Sequence, residues 1–250
     1  TFNCTGSYSI QGEPRPIQCH KYPNSHGAQS LRQALENSCN PAFVDLGLRI
    51  GAERSYKYYD ALGFFTKTGI SISGEPKNGG IFYDINKIKP HELGTMSFGQ
   101  RFTITPIQMI TAASAIANDG VLLQPQIVDH ITNTDTGEIT TFNTQEVRQV
   151  ISKETADKVA SMMESVVEVG TGKKVKYDDS VKDNMSGYSV GGKTGTSEPI
   201  NGSSDGYVAS FLAISPVENT KIVLLVILKN PGEGVNHNGG QIAAPTAGKM

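Results

Sequence analysis

The chain has no tryptophan, and only 7% of its residues are aromatic. It has no membrane-spanning run, which takes ~18 consecutive apolar residues. The longest apolar stretch, Ile222 to Leu228, is the size of a strand. Neither sign of charge dominates, because the formal net charge is −2. Nothing in the charge therefore points to a nucleic-acid partner or an anionic membrane surface. The three cysteines, Cys4, Cys19 and Cys39, are too few for a disulfide scaffold. The chain opens without methionine and has no signal peptide. It reads as a piece of a longer polypeptide, so missing targeting segments say nothing about location. Its 250 residues suffice for one large domain with a real core.

Residues 1 to 26 are polar and rich in Gly, Pro, Cys and His, which predicts extended or hairpin structure. Helical spacing runs from Gln29 to Leu48 but breaks at Ser38-Cys39-Asn40-Pro41. Pro41 disfavours a helical Asn40 and suits the first turn of a new helix. Ser38 and Asn40 are thus expected on a helix-loop-helix corner. Residues 52 to 63 predict another helix, and residues 66 to 102 are glycine-rich and weakly periodic. Thr105, Pro106 and Gln108 form a capping-box start for a helix to Asn118, stopped by Gly120. A hairpin is expected around Asp135-Thr136-Gly137. Ser152 is expected to cap a helix to about Val169. Three strands then follow, Tyr188 to Lys193, Val208 to Ser215 and Lys221 to Lys229, with short links. Short links between neighbouring strands imply an antiparallel sheet, and helices followed by strands imply an α+β fold.

Lys-Thr-Gly occurs twice, at Lys67-Thr68-Gly69 and Lys193-Thr194-Gly195. The second copy is expected on a strand. There Lys193 offers a charge, Thr194 and Thr196 offer hydroxyls, and Gly195 admits a close backbone, which together suit a carboxylate. The first copy leads into turns, so Lys67 reads as a solvated surface charge. A single tripeptide is a weak signal.

The combination is specific. Ser38-Cys39-Asn40 followed by Lys193-Thr194-Gly195 matches two of three signature elements of penicillin-recognising serine acyltransferases. The chain resembles the class B penicillin-binding proteins. The resemblance rests on Asn37 to Phe43 with Leu46-Gly47, and on Lys67 to Ile70 with Gly74-Glu75. It continues through Met96 to Gln100, Thr105 to Gln108, Ala117 to Gly120, Gly170 to Gly172, Gly192 to Thr196 and Ala243 to Pro245. These motifs run in family order over nearly the whole chain. The Cys4 to His26 region most resembles sporulation and elongation members from Firmicutes. The implied fold is an antiparallel sheet flanked by helices plus a mostly helical subdomain.

One element is missing. No lysine here has a serine three residues before it. The family's Ser-x-x-Lys nucleophile is therefore expected upstream of Thr1, and the 250 residues are expected to be a transpeptidase domain without that portion. The resemblance implies acyl transfer through a covalent intermediate. The catalytic residues expected in this chain are Ser38, Asn40, Lys193, Thr194, Gly195 and Thr196. Ser38 relays a proton, Asn40 binds the substrate amide, and Lys193 supports Ser38. Thr194 and Thr196 bind the terminal carboxylate, and the Thr196 N–H is an oxyanion donor. The implied partners are stem peptides ending in D-Ala-D-Ala, β-lactam antibiotics and a membrane-embedded glycan polymerase. The implied location is the outer face of the cell membrane, held by a transmembrane helix outside this chain. A non-catalytic β-lactam-sensing domain and a carboxypeptidase or β-lactamase of the same fold stand as alternatives. Residues 94 to 120 favour the transpeptidase.

Cys4, Cys19, His20 and His26 fall close together in sequence. Sulfur and imidazole suit Zn²⁺. A Cys4–Cys19 disulfide or free thiols are the other readings. Cys4, Cys19 and His20 are the expected metal set, with His26 or an upstream carboxylate completing it. Cys39 is expected to pack as a small apolar residue. The chemistry itself needs no cofactor.

Overall fold

The computed structural model describes all residues except 78, 184, 186, 199–205 and 233. The polar N-terminal segment forms short strands, β1 (Phe2–Cys4), β2 (Ser7–Tyr8), β3 (Ile17–Gln18) and β4 (Gly27–Gln29). β1 pairs antiparallel with β4, and β2 with β3. These two ribbons close on a small core of Phe2, Cys4, Cys19, Ala34, Cys39 and Ala42.

Three helices follow, α1 (Leu31–Glu36), α2 (Asn40–Ile50) and α3 (Ala52–Ala61). The predicted corner between α1 and α2 is present, with Pro41 in the first turn of α2. The glycine-rich stretch contains one helix that its weak periodicity did not announce, α4 (Pro90–Met96). α4 lies against α2 at Gly47, where an added Cβ would sit 1.6 Å from Ser97 Oγ. The rest of that stretch is pinned to α3 by Tyr56, Tyr59, Phe64, Phe65, Phe82 and Phe102, with neighbouring ring centroids as close as 4.8 Å.

α5 (Pro106–Ala117) starts with the predicted capping box, Thr105 accepting from the Gln108 N–H. β5 (Val121–Leu123) pairs with β8 (Glu146–Gln149), and between them β6 (His130–Thr132) and β7 (Ile139–Thr141) make the expected hairpin. α6 (Lys153–Glu168) is capped by Ser152, and a single-turn α7 (Lys174–Tyr177) follows.

The main sheet contains β9 (Gly191–Ser197), β10 (Val208–Ser215) and β11 (Ile222–Lys229), all antiparallel in the order β11-β10-β9. The first of these strands begins three residues later than Tyr188. Lys193 therefore sits inside the strand, paired with Leu212, and not at its end. The run Gly191-Gly192 carries no β-branched signal, so only its pairing with β10 makes it a strand. A C-terminal helix, α8 (Gly239–Gly248), covers one face of the sheet, where Ala243, Ala244 and Ala247 meet Phe211, Ala213 and Val226. Small alanines let the helix come close. On the other face Ala160 and Met163 of α6 meet Ile214. The α+β architecture with an antiparallel sheet between helices is as expected. Among the described residues β9 pairs on one side only, and its Lys193 reaches the Ser38 corner.

Candidate active site

The chain brings Ser38 and Lys193 together across 155 residues, with Lys193 Nζ donating to Ser38 Oγ at 2.8 Å. The same ammonium donates to the Thr194 carbonyl at 2.8 Å. These two contacts fix the lysine head against the α1–α2 corner. Lost solvation lowers the Lys193 pKa to about 8.

Ser38 has φ +48°, a left-handed conformation that a non-glycine residue adopts at a cost of about 1 kcal/mol or more. Its N–H donates to the Leu35 carbonyl at 3.1 Å, so the strained residue is held as the helix end turns back. This conformation aims the hydroxyl at β9 and away from α1. Asn40 is the first residue of α2, and its side-chain amide donates to the Gln18 carbonyl at 3.4 Å.

Alternation along β9 puts Lys193 and Gly195 on one side and Thr194 and Thr196 on the other. Thr194 Oγ1 lies 3.1 Å from Thr171 Oγ1. Thr196 Oγ1 accepts from the Gly239 N–H at 3.1 Å, which leaves its own proton free to donate. Gln100 Nε2 reaches the Thr196 carbonyl at 3.5 Å. A Cβ at Gly195 would meet Ser210 Oγ at 2.4 Å, so a side chain there would push that hydroxyl aside. Gly239 is tighter still, with a built Cβ 2.3 Å from the Gly195 and Ser210 carbonyl oxygens. Sequence reasoning missed this seating of α8 on β9. The paired glycines at Gly239-Gly240 were its available signal.

The Gly170 to Gly172 segment joins both halves of the site. The Thr171 N–H donates to the Glu36 carbonyl of α1 at 3.0 Å, while its side chain meets Thr194. It thus ties the Ser38 corner to β9 as well as closing α6.

The other Lys-Thr-Gly lies outside this site. Glu75 accepts from the Thr68 N–H at 2.9 Å, the Thr68 hydroxyl at 2.8 Å and the Gly69 N–H at 3.1 Å. Partial burial opposes ionisation of Glu75, but those three donors outweigh it and lower its pKa. Lys67 is exposed. This copy is a clasped loop.

The N-terminal Cys/His cluster differs from the expected set. Cys4, Cys19, His26 and Cys39 place their ligand atoms all within 4.8 Å of one another. All three cysteines are free and buried. His20 is not part of the group. Its ring packs edge-on against His26 with centroids 5.1 Å apart. Burial, then the charges of Lys21 and Lys193, lower the His20 pKa. Cys39, expected as packing, faces the cluster because the corner turns its side chain away from the cleft.

The family comparison agrees with this geometry. Residues 1–250 match the model of the penicillin binding protein transpeptidase domain. The chain belongs to that family. It is 35% identical over 241 residues to stage V sporulation protein D of Bacillus subtilis, covering 94% of this chain and 35% of that protein. It is 28% identical to peptidoglycan D,D-transpeptidase PbpA of Mycolicibacterium smegmatis, covering 86% of this chain and 42% of the relative. The chain thus spans well under half the length of these relatives. Among solved structures, penicillin binding protein 3 of Mycobacterium tuberculosis complexed with aztreonam superposes with a TM-score of 0.84 at 26% identity, over 99% of this chain and 55% of that one. The transpeptidase domain of Burkholderia pseudomallei penicillin-binding protein 3 gives 0.79 at 26% identity, over 99% and 69%.

Proposed function

We propose that the protein is a serine-type peptidoglycan D,D-transpeptidase, a target of β-lactams, and that this chain supplies the substrate-binding and proton-relay part of its site. The observation that carries the reading is the 2.8 Å Lys193–Ser38 contact between distant motifs. A purely structural corner has no use for a lysine brought out of water.

In this reading the nucleophilic serine and its lysine lie before Thr1, since no Ser-x-x-Lys occurs in the sequence. The stem peptide adds along the free edge of β9 as an extra strand. Its terminal carboxylate meets the Lys193 charge and the Thr194 and Thr196 hydroxyls. The serine oxygen attacks the penultimate D-alanine carbonyl, and its proton passes to the upstream lysine. The tetrahedral oxyanion is held by the Thr196 N–H and the nucleophile's own N–H, a donor of this kind being worth about 3 kcal/mol. Ser38, polarised by Lys193, relays a proton to the departing D-alanine nitrogen. Asn40 orients the substrate amide. An amine of a second stem peptide then attacks the acyl-enzyme and takes the acyl group.

The relatives' names support this reading, including peptidoglycan D,D-transpeptidase and penicillin-binding protein, and so do the solved complexes of family members with aztreonam and ampicillin. The substrate lies outside the cytoplasmic membrane. We therefore assign the domain to the outer face, anchored by a helix outside this chain, beside the glycan polymerase that makes its substrate. No described helix is long and apolar enough to cross a membrane. Acyl transfer needs no cofactor; a structural metal at the Cys/His cluster is a separate matter.

The test uses the full-length protein with a pentapeptide donor ending in D-Ala-D-Ala and an amine acceptor. Released D-alanine together with a cross-linked product is expected. Release without cross-linking would make it a carboxypeptidase. Neither release nor penicillin labelling would make it a binding domain.

A further inference from the structure

We propose that Cys4, Cys19, His26 and Cys39 hold one tetrahedral Zn²⁺ that locks the catalytic Ser38–Asn40 corner to the N-terminal ribbons. The proposal rests on the transpeptidase reading for its consequence in catalysis, but not for the metal itself.

The geometry is that of a closed four-ligand site. Zn–S bonds of ~2.3 Å and a Zn–N bond of ~2.0 Å set tetrahedral ligand atoms roughly 3.5–3.8 Å apart. Here all four ligand atoms lie within 4.8 Å of each other, and Cys19 Sγ and His26 Nδ1 are 3.3 Å apart. Adjustments of about 1 Å or less complete the coordination. The ligands come from four separate places: the end of β1, the turn after β3, the residue before β4, and the residue before α2. Local sequence does not bring three thiols and an imidazole to one point by chance.

The cluster also lacks another explanation. Cys4, Cys19 and Cys39 are 1%, 3% and 0% exposed, and the His26 Nδ1 faces the Cys19 sulfur at 3.3 Å. A Cys4–Cys19 bridge would leave the Cys39 thiol and the imidazole facing a disulfide with nothing to bind. Three thiolates and one imidazole in tetrahedral array suit Zn²⁺. Four protein ligands leave no open position, so the ion is structural.

Its position gives it a role. Cys39 lies between Ser38 and Asn40, so a bond to its sulfur fixes the residue flanked by both functional side chains. Ser38 must keep its positive φ, and Asn40 is bonded to Gln18, the neighbour of Cys19. The metal would hold both ends of that contact. The ribbons it ties bury few apolar side chains of their own. Binding energy at the metal then becomes folding energy for this segment.

The experiment is metal analysis of the full-length protein purified without added zinc, read beside Co²⁺ substitution. We expect one zinc per chain, and with Co²⁺ the intense visible bands of a tetrahedral thiolate site. His26→Ala, Cys19→Ser and Cys39→Ser should each fall below about a fifth of an equivalent, while His20→Ala keeps its metal. Chelation should lower the melting temperature and slow penicillin acylation at least tenfold. Under a tenth of an equivalent in the wild type, with no Co²⁺ spectrum after metal is supplied, would overturn the site. Metal loss in His20→Ala with retention in His26→Ala would overturn this ligand set. The Co²⁺ spectrum of the wild type decides the matter even if a variant fails to fold. Zinc present without any acylation would sink the transpeptidase reading alone; acylation without zinc would sink only the metal.

Discussion

Lys193 is partly buried beside a hydroxyl and a carbonyl, with no carboxylate among its hydrogen-bond partners in the described residues. Its pKa of about 8 means it is charged below that pH and neutral above it. In the proposed mechanism that charge meets the substrate carboxylate, and the second-order acylation constant reports the free enzyme. That constant should therefore fall as pH rises through about 8, when measured with a carboxylate-bearing penicillin in the full-length protein. The sign for stability is opposite. A lysine whose folded pKa is depressed destabilises the fold while charged, and the penalty is relieved as pH rises toward its ordinary value. A rate that rises steadily through pH 9 would show that the neutral amine is the working form. If Ser38 relays a proton as proposed, Ser38→Ala should slow acylation 10²-fold or more, a typical contribution of a positioned proton-transfer group. That variant should still bind metal at its neighbour. Both residues were singled out by the resemblance of the two motifs taken together, since either motif alone reads as a helix end or a surface turn. The ligand set was not, because which histidine faces the cysteines depends on how two ribbons pack.

At the scale of elements, the capping residue of α5 does more than start a helix. Gln108 is 2% exposed. Its Oε1 accepts from the Thr105 N–H, while its Nε2 donates to the carbonyls of Gly63, Phe64 and Thr66 at 3.3, 3.1 and 2.9 Å. Gln108→Ala leaves these buried groups unpaired and should destabilise the domain by about 2–4 kcal/mol in denaturant unfolding. A change under 0.5 kcal/mol would mean that water replaces the amide without cost. The capping box was readable from residue types alone, whereas the clamp was not, since its partners lie 42 residues or more upstream across a weakly periodic stretch. The same limit hid α8. Its alanines and glycines have weak periodicity, and only the close seat on β9 shows why they are small. Gly239→Ala would push a methyl into two carbonyl oxygens and move α8 or β9. It should lower both the melting temperature and the acylation rate, whereas a change at exposed Gly137 on the hairpin should not touch the rate.

Across the whole molecule, the helical corner and the sheet meet at one site. The helical corner brings Ser38 and Asn40, the sheet brings Lys193 to Thr196, and Thr171 bonds to both. The antiparallel sheet, the α+β class and the corner followed from short links, the succession of helices and strands, and proline placement. The choice between the two Lys-Thr-Gly copies also followed, but its reason became visible only in three dimensions. Lys193 reaches Ser38, whereas Thr68 and Gly69 are occupied by Glu75 and Lys67 points to solvent. The most direct test of the account is the rate of acylation by a fluorescent penicillin in the full-length protein and in Lys193→Ala and Lys67→Ala. The account predicts a loss of at least 10²-fold for Lys193→Ala and a rate within about twofold of wild type for Lys67→Ala, as expected of a site charge and a solvated one. Equal losses from the two, or a Lys193→Ala protein that still labels at the wild-type rate, would contradict it.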